Sequence, residues 1–393
     1  MRPLRILTLA TLFPHASKPN FGIFVERQTA RLNARDDVEV TVINPLGVPP
    51  WPFSGNARYA ELLALPLHEN WRGLDVYRPR FTLIPRIGGP LNPHMIARAI
   101  WPLVKKLHAD KPFDLIDAEF FYPDGPAAMR IAEKLGIPFT AKARGNDIHL
   151  WALRKDCAGQ ISKAADKAAG MLAVSKALKA DMIDLGMESE KIEVHYTGLD
   201  RKRFHPKNRA AEKAKLGVSG PLVLCVGALI ERKNQALLIR ALPKLPDVTL
   251  MLAGFGAAEG KYRKLAKELG VADQVRFAGS VPHDELPDMI GAADIMALVS
   301  ESEGLANAWV EALACGTPVI ASNVGGAPEL IRSPDAGRIV ERDVQEIVTA
   351  TKELLTNPIG QEKVAEQVAH FSWHENASQL ENFFRGLTGQ RIN

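Results

Sequence analysis

Two glutamates eight positions apart, Glu303 and Glu311, stand on either side of the run Gly304, Leu305, Ala306 and Asn307. Carboxylates accept hydrogen bonds from sugar or ribose hydroxyls, whereas free backbone N–H groups at the start of a helix attract phosphate. Together these chemistries describe a site for a sugar nucleotide. The reading depends on where the two acids lie, because along one helix a separation of eight turns the second side chain by about 80° beyond two full turns. Both serve one ligand only if Glu303 sits in a loop and Glu311 in the first turns of the helix that follows. The apolar run 294–299 reads as a buried strand, Asn307 as the N-cap of the helix, and Gly316 with Pro318 as its stop. A structural role stays open for either acid, since a glutamate in a first helical turn gains about 0.3–1 kcal/mol from the dipole alone.

A second chemical signal is the adjacent pair Arg232 and Lys233. Such pairs on loops are commonly solvated surface, but this one follows the carboxyl end of an expected strand, 222–226, and would begin a helix. A departing diphosphate needs fixed positive charge as its bond breaks, which Arg and Lys supply without a metal. No Asp-x-Asp stands at a strand end. The expectation is a metal-independent, cofactor-free reaction that chelation by EDTA leaves intact.

The elements that must position these groups alternate strand and helix in two series. Strands are expected over 6–9, 39–43, 115–118, 139–142, 170–174 and 192–196, with helical runs such as 26–33 and 127–134 between them. The second series has strands over 222–226, 248–253, 275–278, 295–299 and 319–321. Between the two series lies a polar stretch, 198–208, with Asp200, Arg201, Lys202, Arg203 and Pro206, and the hinge is placed there. The expected architecture is α/β: two Rossmann-like, doubly wound domains facing a cleft, with ligand loops at the carboxyl ends of their strands. The expected domains are 1–203, completed by a C-terminal helix 371–393, and 204–370.

Composition agrees with this scheme. A chain of 393 residues, 46% of them hydrophobic, supports two cores. The net charge of +4 resides in the first 200 residues, which suits weak attraction to anionic lipid or substrate and is too little for nucleic acid. Cys157, Cys225 and Cys315 are widely spaced and odd in number, which favours a reducing compartment over a disulfide framework. The start, Arg2 to Phe13, has a charged head and an apolar body like a signal peptide, but Thr8 and Thr11 interrupt it and a second strand follows. A first βαβ unit explains it better. No run approaches a transmembrane span. These features point to a cytoplasmic protein, with peripheral contact at the inner face of the cell membrane left open.

The run from Glu303 through Cys315-Gly316-Thr317-Pro318, continued by Val324-Gly325-Gly326-Ala327-Pro328-Glu329, resembles the signature of the family 4 retaining glycosyltransferases of GT-B fold. The resemblance extends over nearly the whole chain and is strongest over 222–331. It implies that Glu303 holds donor sugar hydroxyls and steadies positive character at the anomeric carbon, and that Glu311 grips the nucleotide ribose. Lys233, Arg232 and the amides of Gly304 to Asn307 would receive the donor diphosphate. Gly227-Ala228-Leu229 is similar to a family loop whose usual arginine falls at Ala228 here, so that contact is absent and Arg232 is the candidate to replace it. Gly254, in Gly254-Phe255-Gly256, and Ser280, Val281 and Pro282 resemble two further loops, the second near the nucleobase, although these glycines also serve as ordinary turns. Gly22, followed by Ile23-Phe24-Val25-Glu26, resembles the first glycine-rich loop of members that build bacterial surface polysaccharides of the teichuronic acid or exopolysaccharide kind.

Within the same group, Tyr122-Pro123-Asp124-Gly125 and Arg144-Gly145-Asn146-Asp147 resemble acceptor-side loops, with Arg144 where many members carry histidine. Asp124 and Asp147 would meet acceptor hydroxyls or cap the helices that follow; both roles stay open. The implied partners are a nucleoside-diphosphate sugar, UDP- or GDP-linked, and a glycan or lipid-linked acceptor. Trp51-Pro52-Phe53 and the helix over 95–107 with Lys105 and Lys106 suggest a membrane-borne acceptor, and they equally read as an ordinary loop and a half-buried helix. A nucleotide-sugar epimerase, which needs no acceptor, and a noncatalytic sugar-nucleotide sensor, which never turns donor over, are the rival classes. A dinucleotide dehydrogenase is disfavoured because no Gly-x-Gly-x-x-Gly follows the first strand.

Overall fold

Strands rich in Val, Ile and Leu, apolar on both faces, can be buried only in parallel sheets covered on both sides. The computed structural model, which describes residues 2–85 and 88–390, has two such sheets in two units. The first unit is Met1–Gly198 with Trp373–Asn393; the second is Leu199–Ser372.

The first unit contains β1 (Leu4–Leu9), β2 (Val38–Ile43), β3 (Leu46–Val48), β4 (His68–Trp71), β5 (Leu74–Tyr77), β6 (Arg80–Thr82), β7 (Leu115–Ala118), β8 (Phe139–Ala143), β9 (Gly170–Ala173) and β10 (Ile192–Val194). Eight of these form one sheet in the order β10-β9-β8-β7-β1-β2-β5-β4, while β3 and β6 pair separately. All its neighbours run parallel except β4 and β5. The run that resembled a leader is β1, at the centre of this sheet.

In the second unit, β11 (Leu222–Val226), β12 (Thr249–Ala253), β13 (Val275–Gly279), β14 (Ile295–Leu298), β15 (Val319–Ser322) and β16 (Gly337–Val340) lie all parallel in the order β13-β12-β11-β14-β15-β16. This is the doubly wound order, and it reverses between β11 and β14. The first unit reverses between β1 and β7. Ligands of open α/β sheets bind outside the carboxyl ends of strands at such switch points, so the loops after β1, β7, β11 and β14 are where function is to be sought.

Local choices fit these loops. Gly22 caps the helix Ile23–Asn33 in a left-handed conformation, φ 69°, and a Cβ there would lie 2.5 Å from the carbonyl carbon of Leu12. Only glycine fits without displacing the loop after β1. The terminal helix starts at Trp373, not 371, and runs to Thr388; residues 391–393 of the expected tail lie outside the described residues. It packs on Ile23–Asn33, with Glu381 bound by Arg35 and, at 2.8 Å, by Arg385. Trp373 is buried against Gly198, where a Cβ would come within 2.1 Å of the indole.

The helix expected to be capped by Asn307 is Asn307–Ala314, with Ala306 in the cap position and Asn307 as its first helical residue. The Asn307 side chain makes no capping bond, so the assignment shifts by one. The β4–β5 hairpin has no counterpart in the sequence reading. It turns on Arg72 and Gly73, both at positive φ (51° and 87°), and Asn70 accepts the Gly73 N–H at 2.9 Å.

Candidate active site

At the switch point of the second unit, the loops after β11 and β14 are tied by a backbone bond from the Glu301 N–H to the Arg232 carbonyl, 2.8 Å. This brings three of the expected residues together. Lys233 Nζ donates to Glu303 Oε1 at 2.5 Å, and Arg232 Nη1 lies 3.9 Å from the same oxygen while donating to the carbonyl of Ser302. Lys233 is the last residue of a short 3-10 turn, Glu231–Lys233, which ends at Asn234 in a left-handed conformation, φ 54°. Asn234 anchors that turn through its side-chain amide, which donates to the Val299 carbonyl at 3.3 Å.

From the other side, Gly325 presses so closely on the backbone of Glu303 that a Cβ would lie 2.1 Å from its carbonyl oxygen, and the Gly326 N–H donates to the Gly304 carbonyl at 2.8 Å. The Glu303 loop is therefore clamped between the loops after β11 and β15. Two cations share one carboxylate here, so the cluster carries net positive charge beside the start of the helix Asn307–Ala314. Within that helix start the Trp309 N–H already bonds the Ala306 carbonyl at 3.0 Å. The helix itself offers no partner to the N–H groups of Ala306, Asn307 and Ala308, the first two of which belong to the expected set of Gly304, Leu305, Ala306 and Asn307.

Glu311 lies in the second turn of this helix and does not join the Lys233 cluster. His283, in the loop after β13, donates from Nε2 to Glu311 Oε1 at 2.8 Å. The sequence reading did not single out His283. Its partner lies 28 positions away, so only the fold pairs them. Ser280, Val281 and Pro282 belong to the same loop, where the Glu285 N–H returns to the Pro282 carbonyl at 2.9 Å. Gly227 follows β11, and Gly254 lies against it: a Cβ on Gly254 would fall 2.0 Å from the Gly227 carbonyl oxygen. Close loop packing thus already accounts for glycine at 254.

In the first unit, Arg144, Asp147 and Asp124 cluster after β7 and β8, but the two acids face inward. Asp147 is fully buried and accepts the N–H groups of Phe121 (2.9 Å), Arg144 (3.0 Å) and Gly145 (2.8 Å). Burial pushes its carboxyl up despite these donors. Asp124 opens the helix Asp124–Leu135, accepts the Thr11 N–H at 3.0 Å, and leaves Oδ1 buried without a partner. Burial raises its carboxyl to about 8, so it is largely protonated at neutral pH. Both tie the loops after β1, β7 and β8 together, and neither reaches solvent.

Arg144 donates from Nε to the Glu119 carbonyl at 2.7 Å and from Nη2 to the Glu119 carboxylate, and it stacks 4.7 Å above Phe24. Behind it lies a buried network absent from the sequence reading. Lys142 donates to Gln28 Oε1 (2.6 Å) and to His195 Nδ1 (2.8 Å), Gln28 donates to Glu119, and His195 Nε2 donates to the Asn376 carbonyl (2.8 Å) in the terminal helix. Burial pulls Lys142 down to about 8 and His195 to about 3. Burial drives Glu119 upward, but Arg144 and Lys142 beside it prevail and hold its carboxyl low. The available signal was a lysine within a strand covered on both faces, where a charge must be paired.

All three cysteines are free and buried. Among the described residues no group of three or more His, Cys, Asp and Glu side chains could hold a metal ion, and no helix is long and apolar enough to cross a membrane.

Comparison with known proteins places these loops in context. Residues 24–203 match the sequence family described as Glycosyltransferase Family 4, and residues 206–371 the one described as Glycosyl transferases group 1. TuaC of Bacillus subtilis (strain 168), whose name proposes a glycosyltransferase of teichuronic acid biosynthesis, is 27% identical over 98% of this chain and 99% of that one. The GDP-mannose-dependent alpha-(1-6)-phosphatidylinositol monomannoside mannosyltransferase of Mycolicibacterium smegmatis is 38% identical over 41% of this chain and 46% of that enzyme, so this match spans about half the relative's length. Among solved structures, sucrose-phosphate synthase from Thermosynechococcus elongatus superposes with a TM-score of 0.81 at 21% identity, covering 99% of this chain and all of that one. Anabaena HepE, in complex with UDP and glucose, gives 0.72 at 22% identity over 96% and 98% of the two chains.

Proposed function

The chain belongs to the family 4 glycosyltransferases, of GT-B fold, and from that premise we propose that it transfers a sugar, with retention of configuration and without a metal, from a nucleoside-diphosphate donor to a glycan or lipid-linked acceptor in polysaccharide biosynthesis. The observation that carries this reading is the Lys233–Glu303 pair, with Arg232 beside it, at the switch point between β11 and β14. The donor's diphosphate lies against Lys233, Arg232 and the start of the helix Asn307–Ala314. As the bond from the anomeric carbon to the phosphate oxygen breaks, its electron pair leaves with the diphosphate, and these fixed positive groups take up the developing charge without reorganising. Glu303, released from part of its bond to Lys233, holds the sugar's hydroxyls and faces the positive anomeric centre. Glu311 takes the ribose. The acceptor hydroxyl enters from the leaving group's face and passes its proton to the departing phosphate.

The donor is a GDP- or UDP-sugar, in line with the GDP-mannose dependence in the name of the mycobacterial relative and the UDP bound to HepE. Acceptor recognition belongs to the first unit, where Arg144 is the expected acceptor-side residue that retains some solvent access, 11% of its side chain. A membrane-borne acceptor is supported by Trp51 and Phe53, exposed by 85% and 66%, and by the exposed Lys105 and Lys106 on the helix Asn92–Asp110. Vesicles of anionic lipid are expected to float the protein at low salt and release it at high salt, with Trp51→Ser and Phe53→Ser abolishing flotation; equal flotation of the double variant would remove the membrane from this account.

The direct test of the nucleotide reading is a thermal-shift screen against UDP-, GDP- and ADP-sugars. A ligand at 100 times its Kd adds about 2.7 kcal/mol to stability. One donor class is expected to raise Tm, and Glu311→Ala to lose that rise; a shift that survives in the variant would place the nucleotide elsewhere.

A further inference from the structure

We propose that His283 is the positioning residue for the ribose carboxylate: its Nε2–H fixes one oxygen of Glu311 and leaves the other to a ribose hydroxyl. This rests on reading Glu311 as the ribose ligand. A carboxylate is an acceptor only, so the 2.8 Å contact from His283 Nε2 to Glu311 Oε1 puts the imidazole proton on Nε2. The other ring nitrogen, Nδ1, is buried without a partner. The two side chains are 11% and 13% exposed, so the bond is largely shielded from water, while Glu311 Oε2 has no protein partner among the described residues.

The ring itself is held in place. Phe204, 1% exposed, meets it edge-on at 5.3 Å with an interplanar angle of 72°. Arg203 Nη2 donates to the His283 carbonyl at 3.3 Å and to Asp284 Oδ1 at 2.5 Å. The backbone and the ring face of His283 are thus anchored by two residues of the segment following Leu199, and only its Nε2 points at a group the reaction uses. A glutamate alone samples several χ3 orientations; one hydrogen bond from a ring packed edge-on against Phe204 selects one of them.

The test uses the full-length protein and calorimetric titration with UDP, GDP and ADP and with their 2′,3′-dideoxy counterparts. Wild type is expected to prefer the ribose form of its nucleotide. His283→Phe keeps the ring against Phe204 and removes the donor; it is expected to weaken binding of the ribose form by about five- to tenfold while leaving the dideoxy form within about twofold. His283→Gln, whose amide can donate in the same direction, is expected to recover most of that loss. Equal weakening of both forms in His283→Phe would show a merely structural role and overturn the proposal, as would an unchanged ribose preference. Glu311→Ala separates the layers: if it abolishes the preference while His283→Phe does not, this inference alone fails. If the preference survives Glu311→Ala, or no nucleotide binds, the donor-site reading fails with it.

Discussion

Glu303→Gln is expected to lower turnover by about 10²–10³-fold while binding nucleoside diphosphate as tightly as wild type or more tightly. The asymmetry follows from the pair geometry. Glu303 neutralises Lys233 at 2.5 Å, so it competes with an incoming diphosphate for the same ammonium. Replacing it by an uncharged isostere frees Lys233 for the phosphates and removes the charge that faces the anomeric centre in the transition state. Loss of one preorganised charged or hydrogen-bonding group of this kind typically costs about 2.7–4 kcal/mol of activation free energy. Lys233→Met is the mirror experiment: turnover falls by a similar factor of about 10²–10³, but nucleoside diphosphate affinity falls with it. Steady-state rates and calorimetric affinities for the two variants check both halves. If both variants weaken nucleotide binding alike, Glu303 is a structural partner of Lys233 and not a group acting on the sugar.

The second large effect concerns stability and arises in the first unit. Burial raises Asp124 to about 8, so in the folded state this carboxyl keeps a proton that the unfolded chain has lost, and burial pushes Asp117 in the same direction. A group of this kind contributes stability that is full below its unfolded pKa and is lost as pH rises through its folded value. Burial acts in the opposite sense on His15, lowered to about 4, and His195, lowered to about 3; their contribution is full above about 6.5 and is lost on acidification. Below pH 6.5 the two pairs oppose each other. Between about 6.5 and 8 Asp124 acts, opposed only near the top of that window by Lys142, which burial pulls down to about 8, and stability should fall by about 1.4 kcal/mol per pH unit for the Asp124 proton. Denaturant titrations at pH 6.5 and 8 should show this decline, and Asp124→Asn should remove the share of one proton. An equal decline in that variant would mean that Asp124 is already ionised at neutral pH.

Much of this was readable because strand signals are local. The apolar runs of β7 and β11 fall on the residues where the sequence places them, and neighbouring strands differ by one or two positions at their ends. The hairpin of β4 and β5 escaped because His68, Glu69, Asn70 and Trp71 carry no apolar alternation, and its turn uses Arg72 where Asn or Asp would have signalled a positive φ. The meeting of Glu303, Lys233 and Arg232 could be expected from their positions after two strands. The partners that set their surroundings could not. Lys142 meets Gln28 across 114 positions and His195 across 53, and Glu311 meets His283 across 28, distances set by sheet order rather than by spacing. The same fold turned Asp124 and Asp147 inward, where their carboxylates hold loops together.

A crystal structure of the protein with its preferred nucleoside diphosphate tests the central claim most directly. The account predicts the diphosphate in hydrogen-bond contact with Lys233 and with the N–H groups that open the helix Asn307–Ala314, the ribose on Glu311, and Glu303 facing the space where the sugar attaches. A nucleotide bound away from the loops after β11 and β14, with the Lys233–Glu303 pair intact, would contradict it.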